Sequence, residues 1–320
     1  MRRFFILITS CICLWLSQEA VAGSFPDKPI TIVVPYGAGG IADIVARTYG
    51  ESISTVLGVP VIVMNKPGAS ANIGPAYVAR AAADGYTLVL SSTSMAMNPY
   101  IYKNIGWKPD EFSPVARLAE STNVFLVPAS SGMKTLADFV KYAKTHKFLP
   151  TNVTSYGNSQ ALNREIFARK VGIKFNAVGY KGGVSYFTDL VNGALVFSVL
   201  PAGVSLPWIV GKKVTALATT GEHRVDALPD VPTLKELGYP AATATSWFGL
   251  DAPAGTPEIA IQKIAEAARQ AAADPTLEKK LKTVTASAAF LGTADFAKFY
   301  QEEAARSQEF ASLIRGRIGK

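Results

Sequence analysis

The chain has 320 residues, 49% of them hydrophobic and 18% charged, with a formal net charge of +8. That much apolar side chain builds a large core, and the length fits two lobes better than one. The basic residues are scattered without an arginine-rich block, which speaks against nucleic acid, while the positive excess favours small or membrane-bound anionic partners.

Met1-Arg2-Arg3, the apolar run from Phe4 to Leu16 and Ala20-Val21-Ala22 read as the three regions of a signal peptide, residues 1–22, cut after Ala22. The apolar run is too short for a membrane anchor, which takes about 20 residues. Ile8-Thr9-Ser10-Cys11 looks like a lipoprotein box, but too little apolar chain precedes it. Cys11 and Cys13 leave with the peptide, so the expected mature chain has no disulfide, thiolate metal site or cysteine nucleophile. Loss of Arg2, Arg3 and Glu19 leaves 30 basic against 23 acidic side chains, a net of +7.

From Phe25 onward short apolar runs alternate with amphipathic segments, the pattern of an α/β fold. Ile30–Val34 reads as a buried parallel strand, followed by a helix that begins near Asp43. A strand over 59–64, a helix over 73–83 and a strand over 87–91 complete three β-α repeats. Residues 113–129 carry apolar residues without helix caps and read as a first crossover, and Thr135 to Asp138 starts a capped helix. A second lobe repeats the theme. Its predicted strands are 151–155, 176–180, 195–200 and 214–219, and its predicted helices 161–171 and 183–191. TSWFGLDA, 245–252, reads as the return crossing, and helix starts follow at Thr256-Pro257-Glu258, Asp274-Pro275 and Thr293. The expected division is 23–124 with 245–320 as lobe 1 and 125–244 as lobe 2.

Between the first strand and helix lies Tyr36-Gly37-Ala38-Gly39-Gly40-Ile41-Ala42-Asp43. Backbone N–H groups and the positive end of the helix meet there, so a carboxylate or phosphate is a fitting guest. The same GAGGIA satisfies the dinucleotide pattern G-x-G-x-x-G/A, but that site wants an acid about 20 residues on, where this chain has Asn65-Lys66. A third reading is a plain tight β-α turn. Ser155-Tyr156-Gly157-Asn158-Ser159 again joins a strand to a helix, with Ser159 as the expected cap. Two helix ends facing across a cleft would grip a molecule with carboxylates, although a Ser159 that only caps its helix fits equally well.

Catalytic machinery is not visible. Beyond the leader there are two histidines, His146 and His223, neither with a second at ligand spacing, and no G-x-S-x-G, P-loop lysine or H-E-x-x-H.

FPDKPITIVVPYGAGGIADIVAR, VPVIVMNKPGASANIG, ADGYTLVLSS, NPYIY, VGYKGG, ALATTGEHRVDALPDVPTLKELGYP and SWFGLDAPAGTPEIA occur in that order. Together they resemble the receptors of tripartite tricarboxylate transporters, the Bug family. The resemblance implies a periplasmic binding protein of type II. Two α/β lobes, each a sheet flanked by helices, are joined by two crossover strands and close over a small carboxylate. It further implies a monomer with no enzymatic activity or cofactor, and a partner in the inner-membrane transporter; a ligand-sensing adaptor for a signalling protein would look the same in sequence. Carried over by position, Tyr36 through Asp43 form the first ligand loop and Ser91, Ser92 and Thr93 the second. Tyr156 through Ser159 and Tyr180-Lys181 face them from the other lobe. Ile41 stands where many members have Ser or Thr, Ala161 where a histidine is common, and 195–200 lacks an acid often found there. These departures make the pocket more apolar and point to a ligand with one carboxylate and an apolar or aromatic body.

Overall fold

The computed structural model describes residues 25–180 and 185–314. The signal peptide expected over 1–22 and Lys181 lie outside the described residues. In chain order the elements of the first lobe are β1 (Ile30–Val34), α1 (Ile41–Leu57), β2 (Val61–Asn65), α2 (Ile73–Val78), β3 (Thr87–Ser92), α3 (Thr93–Ile101) and β4 (Phe112–Ser121). The second lobe holds β5 (Asn123–Pro128), α4 (Leu136–Thr145), β6 (Pro150–Val153), α5 (Ser159–Val171), β7 (Asn176–Gly179), α6 (Ser185–Val191), β8 (Ser198–Pro201), α7 (Ala202–Val210) and β9 (Val214–Thr219). The chain then returns through β10 (Ser246–Pro253), α8 (Glu258–Ala272), α9 (Pro275–Lys282), β11 (Ala286–Leu291) and α10 (Thr293–Ile314).

Six strands in the order β11-β4-β10-β3-β1-β2 form the first sheet. β1 runs parallel to β2 and β3, whereas β10 is antiparallel to β3 and β4. Alternate residues of these strands face opposite layers, as strand pleating requires. Ile30, Ile32, Leu88 and Leu90 pack with Val45 and Tyr49 of α1 and Ile264 of α8. Val33 and Val89 face the other way, toward Val78 of α2, Met95 of α3 and Trp107. The second lobe has an antiparallel sheet β8-β5-β9 and a parallel pair β6-β7, linked by a bridge from Thr151 to Phe197. An aromatic core of Phe125, Phe139, Phe167, Phe175 and Phe197 fills one face, with ring centroids of Phe139 and Phe197 4.4 Å apart. Phe187, Leu190, Leu200 and Val214 fill the other.

Only Thr122 separates β4 from β5, so one continuous extended segment leaves the first sheet and enters the second. β10 returns beside it, with Ser246 opposite Ser121. These are the two crossovers between the lobes. Asn123 ties them to α5: its side chain donates to Ser159 Oγ and Asn163 Oδ1, each at 3.1 Å, and accepts from Gln160 Nε2 at 2.8 Å.

Several expected boundaries shift for physical reasons. The helix expected over 73–83 ends at Val78, because Arg80 and Ala81 donate to carbonyls only three residues back, which tightens the chain into turns. The strand expected over 195–200 shortens to Ser198–Pro201, with Leu195 spent on a bond to Asp189 O. α5 begins at Ser159 with Asn158, not Ser159, as its cap; Asn158 Oδ1 accepts from Ala161 N at 2.9 Å.

Candidate functional site

Between the lobes lies a cavity of about 610 Å³. Its first-lobe wall is the β1–α1 loop: Tyr36, Gly37, Ala38, Gly39, Gly40 and Ile41 all line it. α1 opens on Gly40, which has extended backbone and no side-chain cap, so the first-turn N–H groups have no partner within the helix. Gly39 sits at φ +80°, a left-handed conformation that glycine adopts without strain. Its N–H donates to Asp43 Oδ2 at 2.9 Å, and Asn65 Nδ2 donates to Asp43 Oδ1 at 2.9 Å and to Tyr36 O at 3.1 Å. Arg47 completes the support with an ion pair to Asp43 at 2.9 Å. Burial works against a charge on Asp43, but the bonds from Arg47, Gly39 and Asn65 outweigh it and hold this carboxyl below the usual range. Asp43 thus shapes the loop from behind and does not line the cavity. Asn65 occupies the place where a dinucleotide fold keeps its ribose acid; both bonds from its Nδ2 serve the loop, and its Oδ1 accepts from Arg47 at 3.1 Å.

The second segment of this wall is the β3–α3 junction, where Ser92, Thr93 and Ser94 reach the cavity. The Tyr36 hydroxyl is bonded to Ser92 Oγ at 2.7 Å and Ser94 Oγ at 2.9 Å, which locks the two loops together. Burial raises the Tyr36 pKa, partly offset by those two serines, so the phenol stays protonated and able to donate. α3 too starts without a side-chain cap. Ser91 points elsewhere: strand alternation turns it into the layer of Val89, beside the buried Asp251 of β10.

A third segment, Pro67 to Ala71, lies within the VPVIVMNKPGASANIG stretch and also lines the cavity, a role that no local motif marks. Ala69, Ser70 and Ala71 have φ of +47°, +56° and +70°, an unusual run for residues with side chains. Asn98 Nδ2 donates to Ser70 O at 2.8 Å, Asn72 Nδ2 to Ala69 O at 2.7 Å, and Trp107 Nε1 to Asn72 Oδ1 at 3.0 Å. Such strain persists only where surrounding structure over-determines it, and here it sets Gly68, Ser70 and Ala71 against the cavity.

The facing wall comes from β6, α5, α7 and the end of β8. Asn152, Val153, Thr154, Ser155, Asn158, Ser159, Gln160, Ala161 and Arg164 line it, with Val199, Leu200, Pro201 and Tyr186. Ser159 Oγ meets Ser246 Oγ at 2.7 Å, which joins this wall to the return crossover. α7 has no side-chain cap, although its Ala202 N–H already donates to Thr122 O at 2.9 Å. Tyr156 and Gly157 stand outside the cavity lining. Tyr156 packs with Met97, Leu162 and Phe310, and a Cβ on Gly157 would collide with Asn98 Oδ1 across the lobe boundary. Tyr180 also stands outside it: its hydroxyl donates to Asp189, and its pKa is pushed up to about 12 by burial and that acidic neighbour.

The uncapped starts of α1, α3 and α7 thus meet around one cavity, an arrangement suited to an anion. Among the described residues no group of three or more His, Cys, Asp or Glu could hold a metal, and no helix is long and apolar enough to cross a membrane.

Residues 45–315 match the family described as tripartite tricarboxylate transporter family receptor. A Cupriavidus necator relative, the UPF0065 protein in the gbd 5' region, is 34% identical over 90% of this chain and 88% of its own length. The structure of R. palustris Rpa4515 with adipate is similar at a TM-score of 0.83 and 28% identity, covering 90% of this chain and 98% of that one. MatC from Rhodopseudomonas palustris with bound malate is similar at 0.79 and 27%, covering 90% and 100%. Family and fold are those of solute-binding receptors, not enzymes. The chain belongs to the tripartite tricarboxylate transporter receptor family, the Bug family of periplasmic solute-binding proteins.

Proposed function

We propose that the protein encloses a small carboxylate between lobe 1, residues 23–124 with 245–320, and lobe 2, residues 125–244, and delivers it to a tripartite tricarboxylate-type transporter in the inner membrane. The observation that carries this reading is the meeting of uncapped helix starts at Gly40 and Ser92, locked together by Tyr36, on the wall of an otherwise largely apolar cavity. Relatives of the same fold hold malate and adipate, which are small carboxylates. In this reading the amides of Gly40 through Ala42 take one carboxylate, directly or through water, and lobe 2 closes the exit. Ligand that bridges both lobes favours the closed form by its extra contacts there.

A thermal-shift plate of aliphatic and aromatic mono- and dicarboxylates, with NAD and NADP included, tests the ligand class. A ligand that binds only the folded protein stabilises it by about 2.7 kcal/mol at a hundredfold excess over Kd. A rise with carboxylates alone is expected; a rise with a dinucleotide alone overturns the reading. For delivery, the liganded protein immobilised on beads should retain transporter subunits from solubilised inner membrane. Retention of a signalling protein instead would make it an adaptor.

A further inference from the structure

A second cavity, of about 490 Å³, lies on the other side of the crossovers from the ligand cavity. Strand alternation divides the two. Ser246 turns its hydroxyl to Ser159 on the ligand-cavity wall, while its neighbour Thr245 donates to Glu120 Oε2 at 3.0 Å and lines the second cavity with it. Trp247 stands between the cavities and lines both, its Nε1 bonded to Glu303 of α10 at 3.0 Å. The walls of the second cavity come from different lobes. One is the loop 221–227 that follows β9; the other is the turn from Lys282 to Ser287 with Phe299, Glu303 and Arg306 of α10. Next to the crossovers the lobes touch: Ala202 N donates to Thr122 O at 2.9 Å, and a Cβ on the following Gly203 would collide with Val284 O. Farther out the gap is spanned by a loose ion pair, Lys282 to Asp226 at 3.8 Å, with both side chains more than half exposed. The lining sets four Lys or Arg side chains against four carboxylates, and the most buried of these cations, Arg117, already pairs with Glu120 at 2.5 Å. Balanced charge gives an ion no reason to settle there, so what this cavity registers is bulk.

We propose that the cavity behind the crossovers sets the balance between the open and closed forms, and through it the affinity of the ligand cavity on the other side. Two lobes that turn about a shared pair of strands exchange space between front and back. As lobe 2 swings over the ligand, the loop 221–227 swings away from Lys282 and α10. A group that fills the second cavity therefore stabilises the closed form, while the Lys282–Asp226 pair stabilises the open one. Ligand affinity follows, because it is scaled by the fraction of protein already in the form that binds. Side chains that never touch the carboxylate thus tune how tightly it is held, and by reciprocity the bound carboxylate opens the second cavity. The proposal takes its ligand from the carboxylate-receptor reading, but the motion itself can be measured without one.

The test joins small-angle scattering and calorimetry on the purified protein and two variants that add bulk to the second cavity from opposite walls, Ala227→Trp and Ser287→Trp. The titrant is the acid that raises the melting midpoint most in the thermal-shift plate. Without ligand each variant should have a smaller radius than the parent, and each should bind that acid about 5- to 30-fold tighter, within the usual span of an allosteric coupling. Either variant suffices if the other fails to fold. The converse variant joins Asp226→Cys to Lys282→Cys through a short bis-thiosulfonate tether; Cys11 and Cys13 lie in the expected leader, so no other thiol competes. With the tether in place affinity should fall by about tenfold, and dithiothreitol should restore it. Filled variants with the parent's radius and affinity overturn the proposal, as does a tether that leaves affinity where it was. A parent protein that binds no acid overturns the carboxylate reading instead, and the radii of the unliganded variants then decide this one, a smaller radius supporting it and an unchanged radius overturning it.

Discussion

In lobe 1 the cavity wall is mainly backbone: glycines 37, 39 and 40, uncapped helix starts, and side chains such as Asp43 and Asn65 that stand behind and hold the loop. In lobe 2 it is mainly side chains, from Asn152 to Arg164, bonded through Asn123 and Ser246 to the crossovers. Backbone amides bind an anion without reading what is attached to it, whereas side chains change one at a time. The first wall is therefore built for grip and the second for choice. The buried charges differ in the same sense. Arg164 has Glu165 beside it, while Asp251, 1% exposed in the first sheet, has no ion-pair partner among the described residues.

Asp251 offers the largest test. Burial pushes its pKa up to about 7, the Ser91 hydroxyl working the other way, and the nearby buried Tyr300 on α10 supplies no positive charge. An unfolded aspartate titrates near 3.9. Below about pH 4 both states are protonated and the group costs nothing; between about 4 and 7 only the unfolded state loses its proton, so stability falls as pH rises. Asp251→Asn should match the parent protein near pH 4 and exceed it at pH 8 by up to about 4 kcal/mol, from roughly three pK units at 1.36 kcal/mol each. Denaturant titrations at both pH values measure this. An equal difference at both would mean that the carboxyl is charged and satisfied in the fold.

The next effect belongs to the backbone wall itself. A side chain on Gly37 would meet nothing within 4 Å, so Gly37→Asp fits and places a negative charge where the ligand's own is expected. Carboxylate affinity should drop by about a hundredfold, some 2.7 kcal/mol, while the unliganded protein is unchanged or slightly steadier, since an acid beside a helix start is favourable. Calorimetry and melting run on the same sample separate the two. A variant that binds as before would move the grip away from this loop.

Much of lobe 1 is legible in the sequence because its signals are local: a β-branched run, a glycine cluster, then helical spacing. The family resemblance implies both Ser91 and Ser92 in the site, yet the alternation that begins at Val89 separates them, one inward toward Asp251 and one onto the cavity. Lobe 2 is less legible, and α5 explains why. Packed between the aromatic core and both crossovers, it buries Asn163, Arg164 and Glu165, a polar run whose burial no local pattern signals. Asn158 and Ser159 are both good caps, and the groups that engage the Ser159 hydroxyl, Asn123 and Ser246, lie 36 and 87 residues away. The same is true of Tyr156 and Gly157, whose neighbours lie on α3 and α10.

Gly157 turns that long-range contact into a measurement. Asn98 Oδ1 occupies the space a Cβ would need, and Asn98 is held by bonds from its Nδ2 to Ser70 O and Asn72 Oδ1. Gly157→Ala must either part the lobes here or break those bonds, which also brace the strained loop at Ala69–Ala71. Ligand affinity should fall roughly 10- to 30-fold, some 1.4–2 kcal/mol. Small-angle scattering with saturating ligand should show a wider particle than the parent's. Unaltered affinity and radius would mean that closure does not bring these two residues together.

The smallest expected effect draws the sharpest line between the walls. Tyr36→Phe removes one hydroxyl, and with it both bonds that tie the glycine loop to Ser92 and Ser94. Each bond contributes on the order of 1 kcal/mol, and the two serine hydroxyls left behind face a cavity where water can replace the phenol. A loss of about 1 kcal/mol in stability and a three- to tenfold loss of affinity follow from this. Because the tyrosine serves the grip and not the choice, diacids and monoacids should weaken by the same factor and their ratio should stay at the parent value. A changed ratio would mean that the backbone wall also reads what the carboxylate is attached to, and the division of labour between the lobes would then fail.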